Sequence, residues 1–151
     1  MIQAYLTDTN AKRTYDLSRL LLSKSNDIIT IGRQNQRNDI VLGKDDFDEL
    51  ISNKELLKEL ISVSRMHASL EYKFQTYTPD CSGFFMRDAH STFGTKILRG
   101  KGLISISQNE GITLANVPVP IILDKNKILL QNEDQIFFAQ YGPVIYKEAQ
   151  I

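Results

Sequence analysis

The sequence predicts an all-β fold, a sandwich or barrel of many short strands. Three observations carry this expectation. Short runs of alternating or β-branched residues recur along the chain, turn signals separate them at fairly regular spacing, and only one stretch, residues 46–60, has a convincing helical pattern.

Residues 2–6 make the first expected strand, and residues 13–17 its partner across the polar turn Asp8-Thr9-Asn10-Ala11. Residues 17–22 form an apolar cluster whose state the pattern leaves open. Asp27-Ile28-Ile29-Thr30-Ile31 is β-branched almost throughout, which fits a buried strand, and it ends at Gly32-Arg33. A polar loop over residues 34–38 follows, then the short strand Asp39-Ile40-Val41-Leu42. The helical signal comes next. Asp46-Phe47-Asp48-Glu49 and Ser52-Asn53-Lys54-Glu55 each place a carboxylate three residues after a capping side chain. They predict one helix over residues 46–60, or two short ones broken near Ser52, turning Phe47, Leu50, Ile51, Leu57, Leu60 and Ile61 to the core.

Residues 66–74 return to alternation, with Met66, Ala68, Leu70 and Tyr72 on one face and His67, Ser69, Glu71 and Lys73 on the other. Pro79, Asp80, Ser82 and Gly83 mark residues 76–83 as a loop. Residues 84–88, 95–98, 103–106, 111–115, 119–123, 127–130, 135–139 and 144–146 are the remaining strand candidates. No internal repeat or low-complexity tract is present.

The 151 residues predict one domain over 1–151, which can also be a module of a longer chain. With 42% hydrophobic and 24% charged residues the composition is that of a globular protein. Lys plus Arg and Asp plus Glu both number 18, so the basic excess of a nucleic-acid binder is missing and no direct nucleic-acid partner is expected. Cys81 is the sole cysteine and His67 and His90 the only histidines, too few for a disulfide or an obvious metal centre, and no cofactor is expected. The N-terminus has no basic start followed by an apolar core, and no run has the length of a membrane span. A cytosolic or nuclear location without a membrane partner is the expectation.

Three polar clusters stand at expected strand ends: Ile31-Gly32-Arg33, Ser64-Arg65-Met66-His67, and Asp88-Ala89-His90-Ser91-Thr92-Phe93-Gly94-Thr95. A phosphorylated side chain brings nearly two negative charges and three acceptor oxygens, so its site needs fixed cations, hydroxyls and backbone donors. Arg33 and Arg65 offer guanidinium forks that can meet two oxygens at once, and Ser64 and Thr92 offer short hydroxyls. Gly32 permits a tight backbone approach, and Gly94 the positive φ of a hairpin-like turn.

This ordered set resembles the forkhead-associated (FHA) domain, a module that recognises phosphothreonine peptides. The late segment Leu130-Gln131-Asn132-Glu133-Asp134-Gln135-Ile136 is similar to the family's Leu-x-x-Gly-Asp-x-Ile, so the resemblance spans residues 2–146. It implies an antiparallel β-sandwich of about eleven strands with ligand-holding loops at one end, here carrying the helical insertion near residues 46–60. It implies that Arg33 and Ser64 bind the phosphate, that Arg65 assists, and that Thr92 reaches the phosphate or its threonine. Gly32, His67 and Gly94 are then architectural. The implied partner is a phosphothreonine-containing protein or peptide, and the implied role a non-catalytic adaptor in phosphorylation-controlled signalling, with a nuclear location weakly favoured. The sequence departs from the family where Phe93 replaces an Asn that bonds the peptide backbone; either a neighbouring side chain takes over that bond, or the peptide is held less firmly and Phe93 offers an apolar contact instead. Asn132 is read as standing in for the Gly of the late turn.

Two other readings compete. A phosphate-independent or degenerate scaffold would bind partners through the helical insertion or the Phe93 loop. A serine hydrolase would cast Ser64, His67 and Asp88 as nucleophile, base and orienter, but no Gly-x-Ser-x-Gly elbow surrounds Ser64 and no glycine-rich phosphate loop occurs.

Overall fold

The computed structural model describes residues 2–107 and 109–150, which form two β-sheets packed face to face. In chain order the strands are β1 (Ile2–Asp8), β2 (Arg13–Asp16), β3 (Ile28–Gly32), β4 (Ile40–Val41), β5 (Ala68–Lys73), β6 (Gly83–Asp88) and β7 (Thr95–Arg99). They continue with β8 (Gly102–Ser107), β9 (Gly111–Ala115), β10 (Leu123–Asp124), β11 (Lys127–Leu129), β12 (Gln135–Phe138) and β13 (Tyr141–Gln150). One sheet runs β2-β1-β13-β12-β7-β8-β9 and the other β10-β11-β6-β5-β3-β4. The described strands therefore number 13 rather than about eleven, the excess coming from two-residue strands at sheet edges.

Alternation puts one side of each sheet into a shared core. Along β7 the residues Thr95, Ile97 and Arg99 are buried while Lys96 and Leu98 face outward, as a period of two requires. Ile29, Ile31, Leu70 and Met86 from one sheet meet Leu6, Ile104, Ile136 and Phe138 from the other, all at 0% exposure. Buried polar groups are paired: Arg99 holds Asp134 through Nε at 2.9 Å and Nη2 at 2.8 Å, and the Tyr141 hydroxyl donates to the Asp8 carboxylate at 2.7–2.8 Å.

All strand pairs are antiparallel except β3 with β4, which run parallel with Ile31 opposite Ile40. The chain doubles back through residues 33–39 until Asp39 reaches Thr30, whose backbone N–H and hydroxyl both donate to the Asp39 carboxylate. That anchor sends β4 along β3 in the same direction.

Several sequence expectations are corrected. Only the second half of the expected helix exists: α2 spans Lys54–Ile61, capped by Asn53, whose side chain accepts from the backbone N–H groups of Glu55 and Leu56. Residues 46–53 are irregular, because Asp45 caps its own turn by accepting from Phe47 and Glu49 N–H, an alternative to helix that Asp readily offers. Phe47 and Leu50 are consequently 85% and 60% exposed, and Ile61 at the helix end 69% exposed, whereas Leu60 is buried. The open cluster at residues 17–22 is a helix, α1 (Leu17–Leu22), with Asp16 accepting from Arg19 N–H. Residues 119–123 are not a strand apart from Leu123, since Pro120 supplies no backbone donor. In the late turn the left-handed residue is Glu133 (φ 74°), not Asn132. Asn132 instead accepts from Glu148 N–H at 2.9 Å.

Candidate functional site

The three polar clusters lie at one end of the sandwich, where β3 finishes, β5 begins, and the link between β6 and β7 turns over. They are bonded to each other. Arg33 N–H donates to the Ser64 carbonyl at 3.2 Å, and Thr92 N–H donates to Ser64 Oγ at 3.1 Å. Ser64 is thus the meeting point of Arg33 and Thr92, which lie far from it and from each other in sequence.

Each segment is fixed by its own chemistry. Gly32 is in contact with the Ser64–Arg65 backbone: a Cβ there would stand 2.3 Å from the Arg65 carbonyl oxygen and 2.9 Å from Asn38 Nδ2. The bare backbone lets Gln34 N–H donate to that same carbonyl at 3.2 Å. Asn38 adds a second clasp, its Nδ2 donating to the carbonyls of both Gln34 and Arg65 at 2.7 and 2.6 Å. The sequence places Asn38 only in a polar loop and carries no local signal for this clasp, since Arg65 lies 27 residues further along the chain.

His67 is fully buried and uses both ring nitrogens. Ser64 N–H donates to Nδ1 at 3.0 Å, so Nδ1 is unprotonated, and Nε2 donates to the Gly94 carbonyl at 2.8 Å. Burial holds the imidazole below its ordinary value, with the Gly94 carbonyl and Asp88 opposing more weakly. The neutral tautomer is the one this geometry requires. The third cluster is a knot on Asp88, which is buried: it accepts from Ser91 N–H, Ser91 Oγ and Thr95 Oγ. Ser91 Oγ in turn accepts from Gly94 N–H at 2.9 Å, and Gly94 turns the chain at φ 81°.

On this frame the side chains suited to an anion stand at the surface. Arg33, Arg65, Thr92 and Phe93 are exposed, Phe93 to 67%, and Ser64 is half-buried. Arg33 Nε donates to the Val63 carbonyl at 3.0 Å, which aims the fork while leaving its terminal nitrogens free for a ligand. Neither Arg33 nor Arg65 forms an ion pair among the described residues. The cluster is therefore an open, cationic, hydroxyl-bearing surface. Gly32, His67 and Gly94 hold its shape.

The same bonds exclude the hydrolase geometry. His67 Nδ1 is committed to the Ser64 backbone and Nε2 to Gly94, so no imidazole nitrogen faces Ser64 Oγ. Asp88 is 3.9 Å from Nε2 and spends its oxygens on Ser91 and Thr95. Among the described residues no group of three or more His, Cys, Asp or Glu could hold a metal ion, and no helix is long and apolar enough to cross a membrane.

A family profile described as the FHA domain matches residues 29–139. No curated protein matches the chain closely enough to count as a relative. Among solved structures, the MEK1 FHA domain in complex with a phosphothreonine peptide of HOP1 is 14% identical with a TM-score of 0.51, covering 97% of this chain and 97% of that one. The MEK1 FHA domain alone gives 13% identity and a TM-score of 0.50, covering 98% of this chain and 89% of that one. The FHA domain of the CT664 protein from Chlamydia trachomatis is 14% identical over 99% of this chain and 98% of that one, with a TM-score of 0.48. The two MEK1 likenesses speak to the fold alone.

Proposed function

This chain belongs to the FHA domain family, and from that premise we propose that it is a non-catalytic interaction module that binds phosphothreonine in partner proteins. The observation that carries the proposal is the three-way junction at Ser64, where Arg33 N–H bonds its carbonyl and Thr92 N–H its hydroxyl, beside two guanidinium groups without ion-pair partners. Arg33 and Ser64 take the phosphate oxygens, Arg65 adds a second cation, and the Thr92 hydroxyl completes the set. Charge-assisted bonds of this kind are worth about 1.5–3 kcal/mol each.

Phe93 lies beside Thr92 and is exposed, so it contacts the peptide through its ring where the family's Asn bonds the backbone. A module of this kind serves as an adaptor in phosphorylation-controlled signalling in the cytosol or nucleus. The test is titration with phosphothreonine, phosphoserine and unmodified peptide libraries against the wild type and Arg33→Ala. Saturable binding that needs the phosphate and falls with Arg33→Ala supports the proposal. Equal binding of unmodified peptides, unaffected by Arg33→Ala, favours the phosphate-independent scaffold acting through α2 or Phe93.

A further inference from the structure

Opposite the cationic end, the β5–β6 hairpin closes through residues 74–82, a loop that exposes Phe74, Thr76, Tyr77, Thr78, Pro79 and Asp80. Tyr77 is 97% exposed. The loop is held by two sets of bonds. Gln75 N–H donates to Ser82 Oγ at 2.6 Å across its base, and a short 3-10 turn over Pro79–Cys81 is closed by Cys81 N–H donating to the Thr78 carbonyl at 2.9 Å. Thr78 sits at the head of that turn with an exposed side chain that makes no capping bond. A kinase therefore meets a threonine hydroxyl with no internal competitor, on a tip whose backbone is already shaped.

Resting on the function proposed above, we infer that Thr78 is a phosphorylation site whose phosphothreonine is the ligand of the Arg33–Ser64–Thr92 surface of a second copy of this chain. Charge favours the pairing. The loop carries Asp80 and no Lys or Arg, whereas the receiving end exposes Arg33, Arg37 and Arg65. None of these three arginines forms an ion pair among the described residues. Topology decides between self-capture and capture by another molecule. The β5 strand runs from Ala68, next to His67 at the receiving end, to Lys73 at the loop, and its six residues separate the two ends by about 17–20 Å. The Gln75–Ser82 clasp ties the loop base at the far end, so Thr78 cannot fold back along the strand to its own Arg33.

Donor and acceptor lie on different faces, which makes the contact heterologous. Such a contact propagates head to tail instead of closing as a symmetric pair. Phosphorylation at Thr78 then turns monomers into chains whose length rises with concentration.

The experiment uses the full chain carrying phosphothreonine at Thr78, with the unmodified chain, a chain phosphorylated at Thr76, and phospho-Thr78 chain bearing Arg33→Ala as companions. Sedimentation velocity is expected to show concentration-dependent growth beyond a dimer for the phospho-Thr78 chain alone, and a peptide of residues 74–82 phosphorylated at Thr78 is expected to reverse it. A phosphothreonine library is titrated in parallel. If library peptides bind and the phospho-Thr78 chain stays monomeric, self-recognition is overturned and the phosphothreonine reading stands. If neither the library nor the phospho-Thr78 chain binds, both are overturned. Growth that persists in the Arg33→Ala chain also overturns the inference, because assembly would then run through another surface.

Discussion

Substituting Gly32 by Ala is the most direct test of how the receiving surface is held. The new methyl would stand 2.3 Å from the Arg65 carbonyl oxygen, about 1 Å inside an ordinary C···O contact. That oxygen belongs to backbone, and Asn38 Nδ2 at 2.9 Å blocks a sideways escape, so the Ser64–Arg65 segment has to retreat from β3. A retreat of that size lengthens the bonds from Arg33 N–H to Ser64 and from Gln34 N–H to Arg65, both 3.2 Å, past useful range. It also strains the Asn38 clasp at 2.6 Å. At about 1 kcal/mol per bond, two to three bonds amount to about 2–3 kcal/mol, or a melting point lower by about 5–10 °C for a chain of this size. Scanning calorimetry and urea denaturation measure the stability, and titration of a phosphothreonine peptide follows the site, where affinity is expected to fall about tenfold or more. A Gly32→Ala protein that melts within a degree of wild type and binds as tightly would refute the account of this junction.

Other perturbations probe separate parts of the site. Arg33→Ala is expected to weaken phosphothreonine-peptide affinity by about 1.5–3 kcal/mol in calorimetric titration, with little change in stability because the side chain is exposed and makes one bond, to Val63. Asp88→Ala frees the Ser91 and Thr95 hydroxyls and the Ser91 N–H at once, and is expected to cost about 2–4 kcal/mol in urea denaturation while leaving Gly94 without its turn. His67 sets a pH dependence. Its folded value lies below the ordinary one, so the unfolded chain takes the proton first, and stability that is complete above about pH 6.5 is lost as pH falls through the window down to the folded value. In His67→Asn that slope is expected to vanish from the pH profile of urea midpoints. Phe93→Asn is expected to raise affinity for generic phosphothreonine peptides about threefold to tenfold, the equivalent of one added hydrogen bond, measured by fluorescence anisotropy.

The sandwich was legible because its strands obey a period of two, and runs such as Ile28–Gly32 and Gly102–Ser107 had no rival helical pattern. Gly32-Arg33 and Ser64-Arg65-Met66-His67 stood out because glycine, arginine and histidine fall at strand ends, where side chains leave the sheet. Residues 46–53 misled because an Asp suits a helix start, as read at Asp46, and an Asx turn, as found at Asp45, and only tertiary contacts choose between them. Helix α1 was obscured by its brevity, six residues being too few to show a period. Asn38 was invisible because its two acceptors, Gln34 and Arg65, meet only in the fold. The parallel β3–β4 pair likewise depends on Asp39 returning to Thr30, a contact without any local pattern.

The imidazole of His67 belongs to the loop that leads into β5, yet its Nε2 partner, Gly94, leads into β7 of the opposite sheet. The ring therefore rivets the two layers together at the rim where a ligand would arrive, while Ala139 N–H, donating to the same Gly94 carbonyl at 3.0 Å, ties that carbonyl to the end of β12 within its own sheet. A receptor so braced is set before its guest appears, and the loss of freedom on association falls mainly on the incoming segment. Stiffening that segment in an extended shape should then improve affinity more than any further tightening of the rim.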